Sequence, residues 1–438
     1  MKILQVIHGY PPAYSAGSEV YTQTIARGLR SAGHEVRVFT REDDPFRRDY
    51  EVRLGHDPSS GGIKLHLINM PRCGEAYRHD EVDHEFDKIL NAFRPDVVHV
   101  GHLHHLSTSL VEVAYRRKVP LVYTLHDFWL MCPRGQFLQT NPGGEAWSLC
   151  DGQEDRKCAM HCFGQYRTGD LRRRKVEEAY WTDWVRCRMN HVRRMTSLVD
   201  VFVAPSQTVL RRFRDEFGIP KSRLVHLDYG FDQRRLWGRG RTRETSFVFG
   251  YIGTHIPAKG IPVLLDAFAQ VEGKVKLRIW GRPNGSTTAA LRERAASLPS
   301  GKGKRVHWMG GYDARYIVTS VLNRVDALVV PSIWLENSPL VIHEAQQARI
   351  PVIASNLGGM AEYVQHGVNG LLFEARNPSD LAAQMQRLAN APALARRLGG
   401  AGYLWTDSHD VQPIEEHVRE LVSIYKSAIH RRKKRGAK

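Results

Sequence analysis

PSIWLENSPLVIHEA, residues 331–345, is the segment from which the architecture of this chain is best inferred. It follows a short apolar run, ALVV at 327–330, which is typical of a fully buried strand. Ser338 is suited to cap a helix, and Pro339 to the first helical position, where a missing N–H costs nothing. The pattern therefore predicts a strand, a loop, and a helix that begins at the carboxyl edge of a parallel sheet.

Two glutamates stand on this loop and helix. Glu336 precedes the predicted helix and Glu344 lies about one and a half turns into it, so both can face one crevice. Carboxylates there can accept hydrogen bonds from the vicinal hydroxyls of a ribose or hexose, and the helix N-terminus can hold a phosphate. Alone, such a pair is most often two surface glutamates on an ordinary helix.

The residues after the pair make the pattern more specific. They include PVIAS at 351–355, then Gly358, Gly359 and Glu362, and HGVNGLL at 366–372. This run resembles the nucleotide-sugar end of the retaining glycosyltransferases of family four, which have the GT-B fold. The resemblance implies an α/β protein with two Rossmann-like domains that face a central cleft.

The same resemblance implies an activity. It predicts transfer of a sugar, with retention, from a nucleotide-diphosphate donor (a UDP- or GDP-sugar) to a saccharide or lipid-linked acceptor in surface polysaccharide or glycoconjugate synthesis. The alternatives are a nucleotide-sugar epimerase-type enzyme on the same fold, and a non-catalytic basic protein that binds membranes or nucleic acid. No nucleic-acid-binding motif accompanies the basic charge, and we expect no nucleic-acid partner.

Length and composition fit this class. A chain of 438 residues with 42% hydrophobic residues predicts two domains with packed cores. No apolar run approaches the length of a membrane span, and the N-terminal apolar stretch is too short for a signal peptide, so we expect a cytoplasmic protein. The net charge of +17 favours anionic partners.

The predicted domains follow from strand–loop–helix units in both halves. We expect an N-terminal acceptor-side domain at 1–232 with a cysteine-containing insertion at 131–165, a linker at 233–245, a nucleotide-sugar-binding domain at 246–410, a helix at 411–430 that crosses back to the first domain, and a basic tail at 431–438.

Two positions of the N-terminal half are candidates for the site. Gly17, in the loop before the first helix, can let backbone approach a phosphate or sugar closely, although it can also be a plain turn glycine. His126 ends a predicted strand, where Asp127 can fix its tautomer. The resemblance implies that His126 contacts the donor sugar, as a catalytic residue with Glu336. His102, in a histidine cluster after another strand, is expected to line the cleft.

The C-terminal half holds the remaining candidates. Lys259 matches the lysine that binds the diphosphate in the family, whereas the family's arginine position is Thr254; His255 and Arg282 are the alternatives for the missing charge. Glu344 is expected to accept from the ribose and Glu336 to hold the sugar. The other expected donor-binding positions are Met309 and Gly310, beside the base, and Asn337, Ser338, Pro339 and Leu340. No Asp-x-Asp occurs, so we expect no catalytic divalent metal, and no protein nucleophile is assigned.

Four of the six cysteines, Cys132, Cys150, Cys158 and Cys162, lie in the predicted insertion. A segment rich in glycine, proline and charge cannot build its own core and needs a cross-link to stabilise it. The spacing of the last pair, Cys158 and Cys162, suits tetrahedral thiolate ligation. A structural zinc ion is the first interpretation, free thiols are the second and an iron–sulfur cluster is the third.

The basic helical pattern at 171–197 contains tryptophans. It predicts either contact with an anionic membrane surface, at the inner face of the plasma membrane, or an ordinary solvated helix on the acceptor side.

Overall fold

Two sheets form the framework of the protein. The computed structural model describes residues 1–58, 60–71, 76–139, 147–163, 173–242 and 244–436. The strands are β1 (Lys2–Ile7), β2 (Glu35–Glu42), β3 (Val52–Asp57), β4 (Ser60–Asn69), β5 (Val97–Val100), β6 (Leu121–Thr124), β7 (Leu138–Gln139), β8 (Ser148–Leu149), β9 (Val201–Ala204), β10 (Leu224–His226), β11 (Phe247–Ile252), β12 (Val275–Trp280), β13 (Val306–Gly310), β14 (Ala327–Val330), β15 (Val352–Ser355) and β16 (Gly370–Phe373).

The helices follow the strands in the alternation that parallel sheets require. They are α1 (Gly17–Ser31), α2 (Asp80–Phe93), α3 (Leu110–Arg116), α4 (Asp155–His161), α5 (Arg174–Leu198), α6 (Gln207–Asp215), α7 (Ile261–Phe268), α8 (Gly285–Ala296), α9 (Ile317–Ser320), α10 (Leu340–Gln347), α11 (Gly358–Tyr363), α12 (Pro378–Asn390), α13 (Pro392–Gly400) and α14 (Ile414–Gly436). No helix in the described ranges is long and apolar enough to cross a bilayer.

The order of strands in each sheet shows where a ligand site can form. The first sheet has the order β10-β9-β6-β5-β1-β2-β4-β3, and the second has the order β13-β12-β11-β14-β15-β16. Strand order therefore reverses at β1 in one sheet and at β11 in the other, where neighbouring connections diverge to opposite sides. Open parallel sheets bind ligands in the crevice that this reversal leaves at the carboxyl ends of the strands.

Apolar packing is continuous between the two halves of the chain. One cluster of buried side chains includes Ile3 of β1, Val248 of β11, Ile342 of α10 and Tyr425 of α14. Strands such as β9 and β14 are buried along their whole length, because helices cover both faces of a parallel sheet. The expectation of an α/β fold is confirmed: the second sheet is parallel throughout, and the first is parallel except for its antiparallel edge strand β3.

The last helix packs on the N-terminal half. A Cβ added to Gly28 of α1 would lie 2.8 Å from Val418 Cγ2, so this glycine permits close approach of α14. The helix continues to Gly436, beyond the predicted end at residue 430. Arg432 is buried and pairs with Asp200 at 2.7 Å. The helix therefore extends into the segment predicted as a basic tail, and this ion pair binds its last turns to the fold; residues 437–438 lie outside the described ranges.

Where the structure describes the predicted insertion, it contains little regular structure. Its described part contains the two-stranded antiparallel pair β7–β8 and the short helix α4. The Glu154 side chain caps α4 by accepting from the N–H groups of Arg156 and Lys157. Residues 140–146 and 164–165 of the insertion lie outside the described ranges.

Candidate active site

Three loops of the second sheet meet in backbone contact at its carboxyl edge. They follow β11, β12 and β14, which are neighbours in the sheet. Gly260 has φ +69°, and a Cβ there would lie 1.8 Å from Pro331 O. Gly281 has φ +146°, and its Cβ would lie 1.8 Å from Gly253 O. Both glycines are required by this packing, which brings the Lys259 loop against the residues that precede Glu336.

Glu336 is held through one of its two oxygens. Its Oε1 accepts from Lys259 Nζ at 2.6 Å, from Ser332 Oγ at 2.6 Å and from Trp334 Nε1 at 2.9 Å. Among the described residues, nothing donates to Oε2. Because three donors fix the orientation of the carboxylate, the second oxygen is oriented for an external donor such as a sugar hydroxyl.

Glu344 is held in a similar way. Its Oε1 accepts from Arg235 Nη2 at 2.6 Å, and Arg235 also donates to Ala314 O at 3.2 Å. The Oε2 atom has no donor in the part of the chain that the structure describes. Arg235 was missed in the sequence, since it lies 109 residues before its partner in a stretch that we assigned to the linker. The same stretch contains four other arginines, and no local pattern distinguishes Arg235 from them.

The loop before α10 is fixed by its side chains, which leaves its amides available. Asn337 Nδ2 donates to Leu125 O at 2.9 Å, and Asn337 Oδ1 accepts from Ser206 Oγ at 2.7 Å. The backbone N–H groups of Asn337 and Ser338 donate to no other described residue. Free N–H groups at the start of a helix are a ready site for an anion.

The prediction that Ser338 caps the helix is wrong. The helix begins at Leu340, its N-cap is Pro339, and no side chain caps it. Ser338 Oγ instead donates to Asp228 Oδ1 at 2.9 Å, and the other oxygen of this carboxylate binds His343. The first turn of α10 is therefore anchored to residues before the predicted linker.

The glycine pair after β15 supports the same loop. A Cβ added to Gly359 would lie 1.4 Å from Asn337 O, and Gly359 N–H donates to Glu336 O at 2.8 Å. Gly358 has φ +55°. These glycines therefore serve the close packing of α11 on the Glu336 loop.

The remaining donor-side candidates lie around this edge. Met309 and Gly310 end β13, and Gly310 O accepts from Gly281 N–H at 2.9 Å. Gly17 begins α1 of the N-terminal half, and a Cβ there would meet Leu340 Cδ1 at 3.7 Å. The structure thus places Gly17 opposite the start of α10, across the crevice between the sheets.

His126 lies at the end of β6, but its partner differs from the prediction. Its Nδ1 is 2.7 Å from Tyr229 Oη, whereas Asp127 lies 3.2 Å from His102 Nε2. The expectation that Asp127 fixes the His126 tautomer is wrong, because Asp127 is taken by His102. Burial, with a smaller effect of His102, lowers the pKa of His126 to about 3, so its ring is neutral. His126 Nε2 is buried without a partner among the described residues.

A second pair at this end of the first sheet was not predicted. His8, after β1, has its Nε2 3.3 Å from Glu19 Oε1 of α1, and its ring centroid lies 4.5 Å from that of His102. Burial opposes ionisation of Glu19, but the hydrogen bond from His8 prevails and lowers the pKa of Glu19 to about 2. The sequence offered one signal, a glutamate in the first turn of a helix that follows a glycine loop.

The predicted zinc site finds no support. No group of three or more His, Cys, Asp and Glu side chains in the described ranges is arranged to hold a metal ion. Cys158 and Cys162 are buried against Phe163 and Met189, and Cys150 Sγ donates to Gly152 O at 3.0 Å. Burial, together with the neighbouring thiols Cys132, Cys162 and Cys150, raises the pKa of Cys158 to about 12, so this thiol is protonated. The thiols pack as small apolar groups.

Solved structures place this architecture in the GT-B class. Sucrose-phosphate synthase from Thermosynechococcus elongatus superposes with a TM-score of 0.68 at 18% identity, over 97% of this chain and 98% of its own. Anabaena HepE in complex with UDP and glucose superposes with a TM-score of 0.67 at 17% identity, over 98% of this chain and 100% of its own. The two facing α/β units of the present protein are therefore a GT-B fold.

Sequence comparison gives the family. The model for "Glycosyltransferase Family 4" matches residues 15–235, and that for "Glycosyl transferases group 1" matches residues 233–405. The D-inositol 3-phosphate glycosyltransferase of Rhodococcus opacus is 35% identical over 86% of this chain and 79% of its own length. The MMP alpha-(1->4)-mannosyltransferase of Mycolicibacterium hassiacum is 24% identical over 95% of this chain and 96% of its own length. The chain belongs to the family 4 glycosyltransferases. The subset with a cysteine-containing insertion stays a prediction.

Proposed function

We propose that this glycosyltransferase moves a sugar, with retention of configuration, from a UDP- or GDP-sugar to a saccharide or lipid-linked acceptor. The observation that carries the proposal is the loop before α10. There Glu336 is held by Lys259, Ser332 and Trp334 through Oε1, and two backbone N–H groups are free. A structural neighbour, Anabaena HepE, is described in complex with UDP-glucose, which supports a nucleotide sugar as the donor.

Each donor group has a matching chemistry in the site. The Glu336 carboxylate holds the sugar and the Glu344 carboxylate accepts from the ribose hydroxyls, each through its free oxygen. Lys259 and the N-terminus of α10 stabilise the diphosphate as negative charge develops on the leaving group. The backbone at Met309 and Gly310 lies beside the base. His126, at the end of β6, is the residue of the first sheet that we assign to the donor sugar.

The acceptor binds at the carboxyl end of the first sheet, across from the donor. Relatives named as a D-inositol 3-phosphate glycosyltransferase and an MMP mannosyltransferase support a polyhydroxylated acceptor. The net charge of +17 supports an acceptor or a surface that carries negative charge, such as a lipid-linked saccharide at the inner face of a membrane. Both family models are glycosyltransferase models, which disfavours the epimerase and the non-catalytic alternatives.

The donor half of the proposal is tested by thermal stability with UDP, GDP, ADP and CMP, each with and without magnesium. One nucleotide at about a hundred times its dissociation constant should stabilise the protein by ~2.7 kcal/mol. We expect this shift to be independent of magnesium and strongly reduced in Glu344→Gln. Glu415→Gln, on the exposed face of α14, is the control. No shift with any nucleotide would contradict the proposal.

The catalytic half is tested with Glu336→Gln. The amide keeps the size of the side chain but weakens its charge-assisted bonds to Lys259, so the sugar is positioned less well. We expect kcat/KM for transfer to fall by about 100-fold. Nucleotide binding should be largely retained, because the ribose contact of Glu344 is unchanged. Product stereochemistry, read by NMR of the new glycosidic bond, tests retention separately.

A further inference from the structure

The turn Gly281–Arg282 is locked against the loop that bears Lys259. Because a Cβ on Gly281 would lie 1.8 Å from Gly253 O, the position admits only glycine, and the backbone there is held with φ +146°. His255 N–H donates to Arg282 O at 3.3 Å. Arg282 therefore stands directly beside Thr254 and His255, at the carboxyl end of β12.

The Arg282 side chain points out of its own sheet and across the crevice. It is exposed, and its Nη2 donates to Ser15 Oγ at 3.0 Å, two residues before Gly17. Arg282 forms no ion pair with any described residue, unlike nearby arginines such as Arg278, which pairs with Glu244 at 2.6 Å. A guanidinium with a neutral hydroxyl as its partner can exchange that partner for an anion.

His255, the other sequence candidate for the missing charge, cannot supply it. Its side chain is buried, with Nδ1 3.2 Å from Thr288 Oγ1 and the ring edge against Trp308. Burial, and then the nearby charge of Arg292, lower the pKa of His255, so the ring is neutral at physiological pH. Thr254 carries no charge. Of the two sequence candidates, Arg282 is therefore the one that carries a positive charge beside the Lys259 loop.

We propose that Arg282 is, with Lys259, the second cation that binds the diphosphate of the donor, and that it leaves Ser15 to do so. The inference rests on the proposed function, since it specifies how the same nucleotide sugar is held. It also links donor binding to the first loop of the N-terminal half: once Arg282 turns to the phosphates, the segment before Gly17 is released from its bond to the second sheet.

Calorimetric titration with UDP and with uridine separates a phosphate contact from any other role, with GDP and ADP titrated in parallel. For Arg282→Ala we expect UDP affinity to fall 10- to 100-fold, because one or two charge-assisted bonds to phosphate are lost. Uridine affinity should be unchanged. Arg396→Ala, which removes an exposed arginine on α13, is the control for net charge. Recovery of UDP affinity in the double variant Thr254→Arg/Arg282→Ala would support the assignment directly.

Ser15→Ala distinguishes phosphate binding from loop bridging. It removes the present partner of Arg282 without changing charge, so UDP affinity should be retained or rise. An equal loss in Ser15→Ala and Arg282→Ala would overturn the inference, as would unchanged UDP affinity in Arg282→Ala beside normal binding by the wild type. Failure of the wild type to bind UDP, GDP or ADP would instead overturn the proposed function, and this inference with it.

Discussion

Two buried histidines of this protein have pKa values that are shifted in opposite directions. His99 lies on β5 of the first sheet, with Nδ1 2.7 Å from Tyr425 Oη and Nε2 2.7 Å from Thr124 Oγ1. Burial, with a smaller effect of His417, lowers its pKa to about 3, so the ring is neutral. Both partners are hydroxyls, which can donate or accept, so a neutral ring is satisfied on both nitrogens.

His343, on α10 of the second half, lies in surroundings that favour the protonated ring. Its Nε2 is 3.0 Å from Asp228 Oδ2 and its Nδ1 is 3.1 Å from Pro339 O. Burial acts to lower the pKa of His343, but the charge and hydrogen bond of Asp228 prevail and raise it above its usual value. A carboxylate and a carbonyl can only accept, so these two contacts favour a ring that donates from both nitrogens. Burial lowers the pKa in both cases, so the carboxylate partner of His343 accounts for the difference between the two rings.

Removal of the Asp228 carboxylate should have the largest effect on the free energy of unfolding. In Asp228→Asn the buried imidazolium loses its counter-charge, and the free energy of unfolding at pH 6 should fall by about 3 kcal/mol. His343 has a raised folded pKa, so its contribution is fully present below about pH 6.5 and lost as pH rises through that pKa. The contribution of Asp228, whose pKa is lowered, is present above about pH 4 and lost as pH falls.

Urea denaturation at pH 6 and pH 8 measures this window. The loss in Asp228→Asn should be smaller at pH 8, because the stability contributed by the raised pKa of His343 declines as the pH rises above about 6.5. Asp407→Asn, at an exposed position, is the control and should be near neutral at both values. Equal losses at pH 6 and pH 8 would show that His343 is not charged, and the contrast with His99 would disappear.

The opposite pH dependence is expected for His99. Its folded pKa lies below the unfolded value of about 6.5, so the unfolded chain takes up the proton first as pH falls. The contribution of His99 to the free energy of unfolding is therefore fully present above pH 6.5. Below that pH it falls by up to ~1.4 kcal/mol per pH unit, which amounts to about 2 kcal/mol at pH 5. His99→Gln removes this titration and should flatten the stability curve between pH 7 and pH 5 by that amount.

Chemical denaturation at half-unit steps of pH resolves the slope. His430→Gln changes an exposed histidine on α14 and should leave the slope as in the wild type. If the His99→Gln curve runs parallel to the wild-type curve, the neutral state assigned to His99 is wrong.

Sequence reasoning found what lies close together along the chain. The strand at 327–330, the loop with Glu336 and the helix with Glu344 are contiguous, so strand burial and helix geometry were enough to place both carboxylates at one sheet edge. Lys259 follows the first strand of the same sheet, and its contact with Glu336 was within reach of the same argument.

The partners that hold these groups could not be found in this way. Arg235 meets Glu344 from 109 residues away, and Tyr425 meets His99 from 326 residues away. Asp127 could have bound either His126 or His102. It binds His102 because β5 and β6 are neighbours in the sheet, which the sequence does not show. Local pattern carries no information on such contacts, because they arise from the packing of whole elements.

The smallest effect should come from the hydroxyl partner of His99. Tyr425→Phe leaves Nδ1 of a neutral, buried ring without a partner, which should cost about 1–2 kcal/mol of unfolding free energy. Tyr425→Phe should cost less than Asp228→Asn, because it leaves no buried charge without a counter-charge. Tyr180→Phe, on the exposed side of α5, is the matched control. In the background of His99→Gln, the free-energy cost of Tyr425→Phe should differ from its cost in the wild type, since the two residues share one hydrogen bond. A loss in Tyr425→Phe as large as that in Asp228→Asn, and growing as pH falls, would mean that the ring of His99 is charged in the folded protein, and that burial in the first sheet tolerates an imidazolium without a carboxylate.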